Sequence, residues 1–296
     1  MKASEIQEKI TQKFIEAIEK DGMMPWQKPW NDALGNGPRN YNSNKVYQGY
    51  NWIVTAFSEF KSPFWLTFEQ AKKLGGMVKK GSKGTTIFFW DKFVKKTGEK
   101  NAKGEDVTKS MFFLKSWTIF NAEQIDGIEF KEPEKVENLI DRCEVVDGVL
   151  KNMHNPPKVE YGGNRACYSP LLDRIAMPEL GQFKSKEHFY ATLVHEYMHS
   201  TGHVTRLKRE GVTNSDGFGR EIYSFEELVA EIGSAMFLSQ YGMQNESIEA
   251  NQNAYVKSWI RVLKNDPQMI FKAASQAQKA VGYIHQVIEE TGEIEA

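Results

Sequence analysis

The chain has 296 residues, of which 40% are apolar and 26% charged, a composition typical of a globular protein with one large domain or two of ordinary size. No apolar run approaches the roughly 18 residues that a membrane span needs, and the charged N-terminus is unlike a signal peptide. Because Cys143 and Cys167 are the only cysteines, the sequence excludes a disulfide framework, and we expect two free thiols in a reducing cytoplasm.

The net charge of -1 hides an uneven distribution along the chain. Residues 1–120 carry 20 Lys and Arg against 12 Asp and Glu, whereas the remainder carries 18 against 27. The first 120 residues also hold 20 of the 36 aromatic residues. This split predicts two domains with different partners. We place the first at residues 1–125, a charged linker at 126–147 and the second at 148–296.

The N-terminal part begins with an amphipathic helix, predicted at about residues 3–20. Two Pro-Trp pairs and a Gly- and Asn-rich stretch follow, and they place aromatic rings and cations in or beside loops. Single-stranded nucleic acid is bound by rings that stack on bases and cations that follow the phosphates. The alternative is that most of these rings form the domain core. The candidate DNA contacts here are Trp26, Lys28, Trp30, Arg39, Tyr41, Lys45, Tyr47 and Tyr50.

The rest of the first domain predicts one helix and several strands. The segment TFEQAKKLGG predicts a helix that stops at Gly75 and Gly76. The segment MVKKGSKGTTIFFWDKFVKK predicts a hairpin with a basic turn, and SMFFLKSWTIFN predicts a further strand. The aromatic residues at 88–90 and 112–113 are expected to be strand core on at least one face. Further candidate DNA contacts in the turn, which could equally be a solvated hairpin tip, are Lys79, Lys80 and Lys83.

The second domain contains HEYMHSTGH at residues 195–203, within a helix predicted to start near Ser185. His195 and His199 are four residues apart and share a helix face, which allows two imidazoles to bind one zinc ion. Glu196 would lie beside the open coordination position. Zinc lowers the pKa of a bound water, and Glu196 could take its proton and pass it to the leaving amine of a peptide. The alternative is an ordinary helix with two histidines.

A third ligand is needed, and the sequence offers three. The metzincin pattern requires His where this chain has Thr205, and His203 comes two residues early. A following helix, predicted at residues 224–242, offers Glu226 and Glu227 instead, with Ser224 as N-cap and Glu227 completing a capping box.

We prefer Glu227 as the third ligand, because Glu227 and Glu231 repeat the gluzincin arrangement. In that arrangement, the second acid supports a ligand histidine. His203 and Glu226 remain alternatives for the ligand. If Glu227 is the ligand, we expect His203 to contact the substrate or transition state.

Other segments supply candidate substrate contacts. Residues 165–179 predict a strand, a turn and a strand, and an edge strand there could receive an extended substrate by strand addition. Tyr168 and Asp173 are the candidates to face the cleft, and Tyr223 could polarise a carbonyl oxygen. Apolar stripes near the C-terminus predict packing helices, in which His285 has a structural role.

The order and spacing of these motifs resemble antirestriction proteins of the ArdC type over nearly the whole chain. That resemblance implies an N-terminal single-stranded-DNA-binding domain and a C-terminal zincin-like metallopeptidase domain. It also implies a protein encoded on a mobile element, where it protects incoming DNA from restriction. It also implies His195, His199 and Glu227 as ligands and Glu196 as general base. The blocks that carry it are PWQKPW, PRNYNSNKVYQGYN, FWLTFEQAKKLGGMVKKGSKGTTIFFW, WTIFNAEQI, YSPLLDRIAMP, HEYMHSTGH, RLKR and EELVAEIGSAMF.

These observations predict a cytoplasmic α+β protein of two domains, a small α+β single-stranded-DNA-binding domain and a zincin-like (gluzincin) metallopeptidase domain. The expected cofactor is one zinc ion, with manganese or another divalent ion as alternatives. The expected partners are single-stranded DNA and a DNA-associated protein substrate, with no membrane. The rival is a DNA-coating protein with a structural or vestigial metal. A nuclease fits less well, because phosphodiester hydrolysis tends to use clustered carboxylates and paired or hard metals.

Overall fold

The structure is a computed structural model that describes residues 37–56, 58–100, 106–131, 139–213, 220–243 and 252–286, with parts of 7–19. The described residues between 7 and 19 are helical, as the sequence predicts. In chain order, the other elements are β1 (Arg39–Asn40), α1 (Gly49–Ala56), β2 (Phe64–Thr67), α2 (Phe68–Lys73), β3 (Met77–Val78), β4 (Thr85–Lys100), β5 (Asp106–Asn121), β6 (Ile125–Asp126), α3 (Leu139–Lys151), β7 (Lys158–Tyr161), β8 (Cys167–Ser169), β9 (Arg174–Met177), α4 (Lys186–Ser200), α5 (Glu210–Thr213), α6 (Arg220–Gln240), α7 (Gln252–Asn265) and α8 (Met269–Ile284).

The chain divides into two compact units that are not continuous in sequence. The sheet unit comprises Arg39–Lys45 and Phe64–Phe130. The helical unit comprises the described residues up to Pro38, Val46–Pro63 and the described residues from Lys131 onward. Helix α1, although encoded before most of the sheet unit, therefore belongs with the C-terminal helices. Helix α3 covers the end of the segment predicted as a linker at 126–147.

The sheet unit contains a four-stranded sheet in the order β1-β2-β5-β4 and a two-stranded sheet of β3 and β6. Strands β1 and β2 are parallel, and the other pairs are antiparallel. The predicted helix is confirmed as α2: the Thr67 hydroxyl accepts from the Gln70 amide N–H at 3.2 Å, and Gly75 follows the helix with φ +84°.

The predicted hairpin in MVKKGSKGTTIFFWDKFVKK is wrong. Strand β3 pairs with β6, with Val78 opposite Ile125, and the Lys79 amide N–H extends this ladder to the Gln124 carbonyl at 2.9 Å. Val78 packs against the buried cluster of Leu66, Ala71 and Ile125, which holds β3 away from β4. Strand β4 instead pairs along its length with β5, which confirms the strand predicted at SMFFLKSWTIFN.

The helical unit combines a three-stranded sheet, in the order β7-β9-β8, with the helices α1 and α3 to α8. Strand β9 is parallel to β7 and antiparallel to β8, so β8 lies at an edge. The predicted strand-turn-strand at 165–179 is thus confirmed as β8 and β9. Helix α4 begins as predicted, because the Ser185 hydroxyl accepts from the His188 amide N–H at 3.0 Å.

The capping box predicted at Ser224 is wrong. Helix α6 already begins at Arg220, so Ser224 lies in the helix and cannot cap it. None of residues 220–223 breaks a helix, and the turn that they form extends α6 before Glu227 is reached. The two predicted C-terminal helices are confirmed as α7 and α8. His285 follows α8, where its Nε2 lies 2.7 Å from the Tyr241 hydroxyl and its ring stacks on Phe237.

Two further sequence predictions concern cysteines and membranes. Both cysteines are free thiols, with Cys143 buried and Cys167 partly buried. Across the part of the chain that the structure describes, no helix combines the length and apolar character needed to cross a bilayer.

Helix α8 packs closely on α6 through small residues. A Cβ atom added at Gly233 of α6 would lie 3.7 Å from the Ala277 Cβ, an ordinary contact distance. Close approach of this kind leaves no space for a larger side chain on the inner face of α8. The fully buried small residues of that face are Ala273, Ala274, Ala277 and Ala280.

Substitution Ala277→Leu is therefore expected to destabilise the protein by about 1–3 kcal/mol, because the added side chain must displace α6 or adopt a strained rotamer. The substitution Ser275→Leu, at an exposed position of the same helix, is the control and should have little effect. Urea unfolding of both variants measures the difference. Equal midpoints for the two would contradict close packing of α6 and α8.

Candidate metal centre

Helices α4 and α6 bring three metal-ligating side chains together. The Nε2 atoms of His195 and His199 are 3.1 Å apart, and the Glu227 carboxylate oxygens lie 3.5 Å from the first and 3.6 Å from the second. Bonds of about 2.0–2.2 Å to a tetrahedral ion place neighbouring ligand atoms roughly 3.3–3.6 Å apart. The spacing of these atoms thus fits a single divalent cation.

Close packing of α4 on α6 accounts for this spacing. A Cβ atom added at Gly233 would lie only 2.8 Å from the Met198 sulfur, so the absence of a side chain at Gly233 allows the two helices to approach. His195 and His199 project from one face of α4 towards Glu227, which lies six residues before Gly233 on α6.

A second carboxylate lies behind each histidine. Glu226 Oε1 is 3.2 Å from His199 Nδ1, and Glu231 Oε1 is 3.7 Å from His195 Nδ1. Carboxylates at Nδ1 fix the ring orientation and the tautomer, so that Nε2 is presented to a metal. The sequence predicts this role for Glu231 but not for Glu226.

Arg209 holds Glu226 in place and directs it away from the metal position. The Arg209 Nε donates to Glu226 Oε2 at 2.9 Å, and Nη2 donates to Oε1 at 2.7 Å, a two-pronged pair that is buried. The guanidinium also donates to the Met198 carbonyl and the Thr201 hydroxyl, both at 2.6 Å. With both oxygens engaged in this way, Glu226 supports His199 rather than completing the cluster.

The electrostatics of the cluster follow from burial and charge. Burial by itself lowers the pKa of His199, but Glu227 and Glu226 outweigh it and raise that pKa well above its ordinary value. Burial also lowers the pKa of His195, and the bond with Glu227 reverses the shift. Burial raises the pKa of Glu227, yet the two histidines hold it low. A divalent cation would therefore compete with protons for the imidazoles.

Glu196 is buried next to the edge strand of the sheet. Its Oε2 accepts a hydrogen bond of 2.7 Å from the backbone N–H of Tyr168 in β8. This contact ties α4 to the edge strand and fixes the orientation of the carboxylate. Glu196 therefore extends from the helix that carries the two histidines to the edge strand.

Tyr168 and Asp173, the predicted substrate contacts, belong to a hydrogen-bonded network around Arg206. The Tyr168 hydroxyl donates to Asp173 Oδ1 at 2.8 Å, and Arg206 donates to both carboxylate oxygens of Asp173. The fully buried Arg206 side chain also donates to the carbonyls of Ser200 and Asn155. Burial and the bond to Asp173 raise the pKa of Tyr168. The network joins the β8–β9 turn to the segment after α4.

His203 lies outside the cluster of His195, His199 and Glu227. Its Nδ1 is 2.8 Å from the Thr205 hydroxyl and 3.9 Å from Asp173 Oδ2. Tyr223 lies in α6, but its side chain is outside the described part of the structure.

Four of the proposed DNA contacts are packed into the protein. Arg39 and Tyr47 are only 7% and 6% exposed, and an aromatic ring buried to that extent has no face on which a base can stack. The Tyr41 ring packs edge-on against Phe64, with centroids 4.9 Å apart. The Tyr50 ring lies 4.8 Å from the ring of Phe271 in α8. Tyr47 is thus one of the core anchors that the sequence left as the alternative, whereas Tyr41 and Tyr50 are partly buried.

The remaining DNA candidates differ in their surroundings. Lys79 donates to the Glu123 carbonyl at 2.9 Å and lies 3.5 Å from Asp126. The described residues do not include three of the candidates, Trp26, Lys28 and Trp30. Lys45, Lys80 and Lys83 are exposed, as is Lys79.

Sequence reasoning missed the two arginines that organise the site. Arg206 and Arg209 are the first and last residues of the RLKR segment that follows α4, and each is buried and hydrogen-bonded to an acid distant in sequence. An arginine pair within a few residues of a histidine-rich helix is the only signal, and it does not identify the acids that the arginines bind.

Two family models match separate parts of the chain. A family model described as a zincin-like metallopeptidase matches residues 146–276. A second model, described as the N-terminal domain of anti-restriction factor ArdC, matches residues 4–120.

The structure resembles crystal structures of the antirestriction protein ArdC from plasmid R388. The metal-free structure has a TM-score of 0.72 and 33% identity, covering 95% of this chain and 97% of that chain. The Mn(II)-bound structure has a TM-score of 0.71 and 32% identity, and the match covers 96% of this chain and 98% of that chain.

Curated relatives extend the comparison to longer proteins. A DNA primase TraC of Escherichia coli is 36% identical over 296 residues, which is 94% of this chain but 20% of the primase. A second TraC primase is 35% identical, and 27% of its length is matched, so the chain spans about a fifth to a quarter of these relatives. The uncharacterized protein y4eC of Sinorhizobium fredii (strain NBRC 101917 / NGR234) is 30% identical, and the match covers 95% of this chain and 92% of y4eC.

The fold and the clustered histidines and glutamate therefore define a two-domain protein with a zincin-like metallopeptidase domain and a divalent metal site. The chain belongs to the family of ArdC antirestriction proteins.

Substitution Glu227→Ala should remove the bound divalent ion, because it deletes one of three ligand atoms, whereas His203→Ala should retain it. Glu231→Ala should lower metal affinity by about 10- to 100-fold, since His195 loses the acid behind its ring. Elemental analysis and metal titration of protein purified without a metal-binding tag measure these effects. Loss of metal in His203→Ala and retention in Glu227→Ala would make His203 the ligand.

Substitution Arg209→Met should destabilise the protein by about 3–5 kcal/mol, because it leaves the Glu226 carboxylate buried without its cationic partner. The control is Arg174→Met, which breaks the more exposed pair between Arg174 and Glu160 and should cost less. Urea unfolding compares the two variants. A similar loss of unfolding free energy in both variants would show that burial of the Arg209–Glu226 pair does not increase its contribution to stability.

Proposed function

We propose that this protein binds single-stranded DNA and carries a zinc-dependent peptidase site, and that both serve antirestriction. The observation that carries the peptidase half is the triangle of His195, His199 and Glu227, with Glu196 next to His195 in the chain and bonded to the edge strand. Two imidazoles and one carboxylate form the donor set of a zincin, and a further carboxylate is the general base that amide hydrolysis requires.

The chemistry divides between the ion and the side chains. His195, His199 and Glu227 would hold a divalent ion, which would supply Lewis acidity and lower the pKa of a bound water. Glu196 would act as general base towards the attacking water and as general acid towards the leaving amine. The Tyr168 N–H holds Oε2, which keeps the carboxylate pointed in one direction during the transfer. Glu226 and Glu231 keep the ligand imidazoles oriented.

The edge strand β8 is the surface that we assign to the substrate. An extended peptide that adds to its outer side would lie next to Glu196, since the Tyr168 N–H already points to that carboxylate. His203 stands at the end of the same region, 3.9 Å from Asp173. We retain His203 and Tyr223 as proposed contacts to the scissile carbonyl.

The donor set favours zinc, because imidazole and carboxylate ligands in a tetrahedral arrangement suit that ion. Manganese is the other candidate, since carboxylate ligands also suit it and the R388 ArdC protein has an Mn(II)-bound structure.

DNA binding rests on the N-terminal part. That part matches the ArdC N-terminal domain, and residues 1–120 carry 20 Lys and Arg against 12 Asp and Glu. An excess of positive charge promotes binding to phosphates. The relatives named DNA primase are consistent with a role on DNA.

A second candidate function is DNA coating with a metal site that has no catalytic role. The observation that favours it is the bond between Glu196 and the Tyr168 N–H, which engages the proposed base in a structural contact. Coating requires only the DNA-binding part, so the two candidates differ in their dependence on Glu196.

Substitution Glu196→Gln separates the two candidates. The glutamine amide oxygen can still accept from Tyr168, but it cannot take a proton, so metal content and DNA affinity should stay at the wild-type level while proteolysis is lost. The measurement is survival of unmodified DNA on entry into a restricting host, with metal content and oligonucleotide affinity determined in parallel.

Under the peptidase proposal, protection falls to the level seen without the protein. Full protection by Glu196→Gln would favour coating and refute a requirement for hydrolysis. Failure of the wild-type protein to bind a single-stranded oligonucleotide would refute the DNA half of the proposal.

A further inference from the structure

Two aromatic rings in the sheet unit are exposed on rigid strands. Phe89 in β4 is 47% exposed, and Trp117 in β5 is 50% exposed. By contrast, Phe64 and Trp65 in the same sheet are buried. Singly exposed rings are common on protein surfaces, but rings that adjoin one another in a contiguous exposed patch indicate a binding surface.

Phe89 and Trp117 lie on the same face of the β4–β5 ribbon. Phe89 is opposite Lys115 in the register, and Ile87 is opposite Trp117. Residues opposite each other, or two apart on one strand, point to the same side of a sheet. Phe89 and Trp117 are therefore diagonal neighbours, with Lys115 across from one ring and two residues from the other.

This face passes from buried to solvent-exposed where the sheet narrows, and Ile87, opposite Trp117, is still on the buried side of that change. Strand β2 pairs with β5 at Ile119 to Asn121, where Ile119 is buried. Beyond Ile119 towards the tip, the described ladder is that of β4 and β5 alone. The two rings thus occupy the start of a two-stranded arm, which rigid backbone pairing holds in place.

The charge of the arm matches a polyanion. Lys115 is exposed beside the rings, and residues 85–121 contain seven lysines and four acidic residues. A cation between two aromatic rings is poorly suited to an apolar protein partner, because burying it would cost free energy. The same arrangement suits a strand of bases joined by phosphates.

We propose that Phe89, Trp117 and Lys115 form a base-stacking platform for single-stranded DNA. The proposal rests on the proposed DNA-binding function and locates its contact surface. One base stacks on each ring, and Lys115 contacts the intervening phosphate. Diagonal neighbours in a sheet are roughly 7–8 Å apart, more than twice the rise of about 3.4 Å between bases in a duplex strand. The platform therefore selects an extended single strand over stacked duplex.

The test is binding of a fluorescein-labelled oligothymidine of roughly 16 nucleotides, measured by anisotropy with the full-length protein. Substitutions Phe89→Leu and Trp117→Leu keep apolar bulk and remove the ring. Each should weaken binding on the order of tenfold. Trp117→Phe keeps a ring and should bind close to wild type. Lys115→Gln should make the dependence of log affinity on log salt shallower by about 0.7.

Tyr161→Leu is the matched control, because Tyr161 is 53% exposed but belongs to the helical unit. It should leave oligonucleotide affinity unchanged. Melting temperature and divalent metal uptake are measured for every variant, so that a folding defect is recognised. If a leucine variant misfolds, Lys115→Gln takes its place as the test of the platform. Its oligonucleotide affinity is then compared with that of Phe89→Tyr and Trp117→His, which keep a flat ring.

The outcomes separate the platform from the wider function. Weaker binding in both leucine variants with an unaffected Tyr161→Leu supports the platform. Wild-type affinity in both leucine variants overturns the platform and leaves DNA binding to another surface. An absence of binding by the wild-type protein overturns the proposed function and the platform with it. If the leucine variants lose affinity equally for duplex and for single-stranded oligonucleotides, the selection for an extended strand is overturned.

Discussion

The buried ion pair between Arg209 and Glu226 is the interaction on which the candidate metal centre depends. Glu226 contacts His199, so the pair fixes one ligand ring, and Arg209 also binds the Met198 carbonyl at the end of α4. Apolar packing around Gly233 brings the two helices close but leaves their relative rotation and sliding weakly determined. A buried charge pair with several directed hydrogen bonds has few equivalent arrangements, so it selects one register between the helices.

Arg206 has the corresponding role on the other side of the site. It joins the β8–β9 turn to the end of α4 through Asp173 and Ser200, and this turn positions the Tyr168 N–H that reaches Glu196. The two arginines are three residues apart on a single segment. One short segment thus aligns the helix that carries Glu227 and the strand that faces Glu196, and the metal side and the substrate side are organised together.

The parts of the site that follow helical periodicity were predictable from sequence. His195, His199 and Glu227 were found because a four-residue spacing and a following acidic helix require no knowledge of the tertiary fold. The Ser224 cap failed because local capping preferences compete with continuation of a helix, and residues 220–223 allow continuation. The exposure of aromatic rings was harder to predict. Tyr47 is buried and Phe89 is exposed, although each sits in an aromatic-rich segment, because burial is decided by residues distant in sequence.

The discontinuous course of the chain has a consequence for inheritance. Helix α1 lies within the N-terminal family match, yet its Tyr50 packs on Phe271 of α8, and its Gly49 N–H donates to the Gln278 side chain. A recombination event between the two halves of the gene would combine an α1 from one lineage with an α8 from another. Selection against such mismatched hybrids favours exchange of the gene segment as a whole. The relatives fit that view, since even the much longer TraC primases align with 94% of this chain.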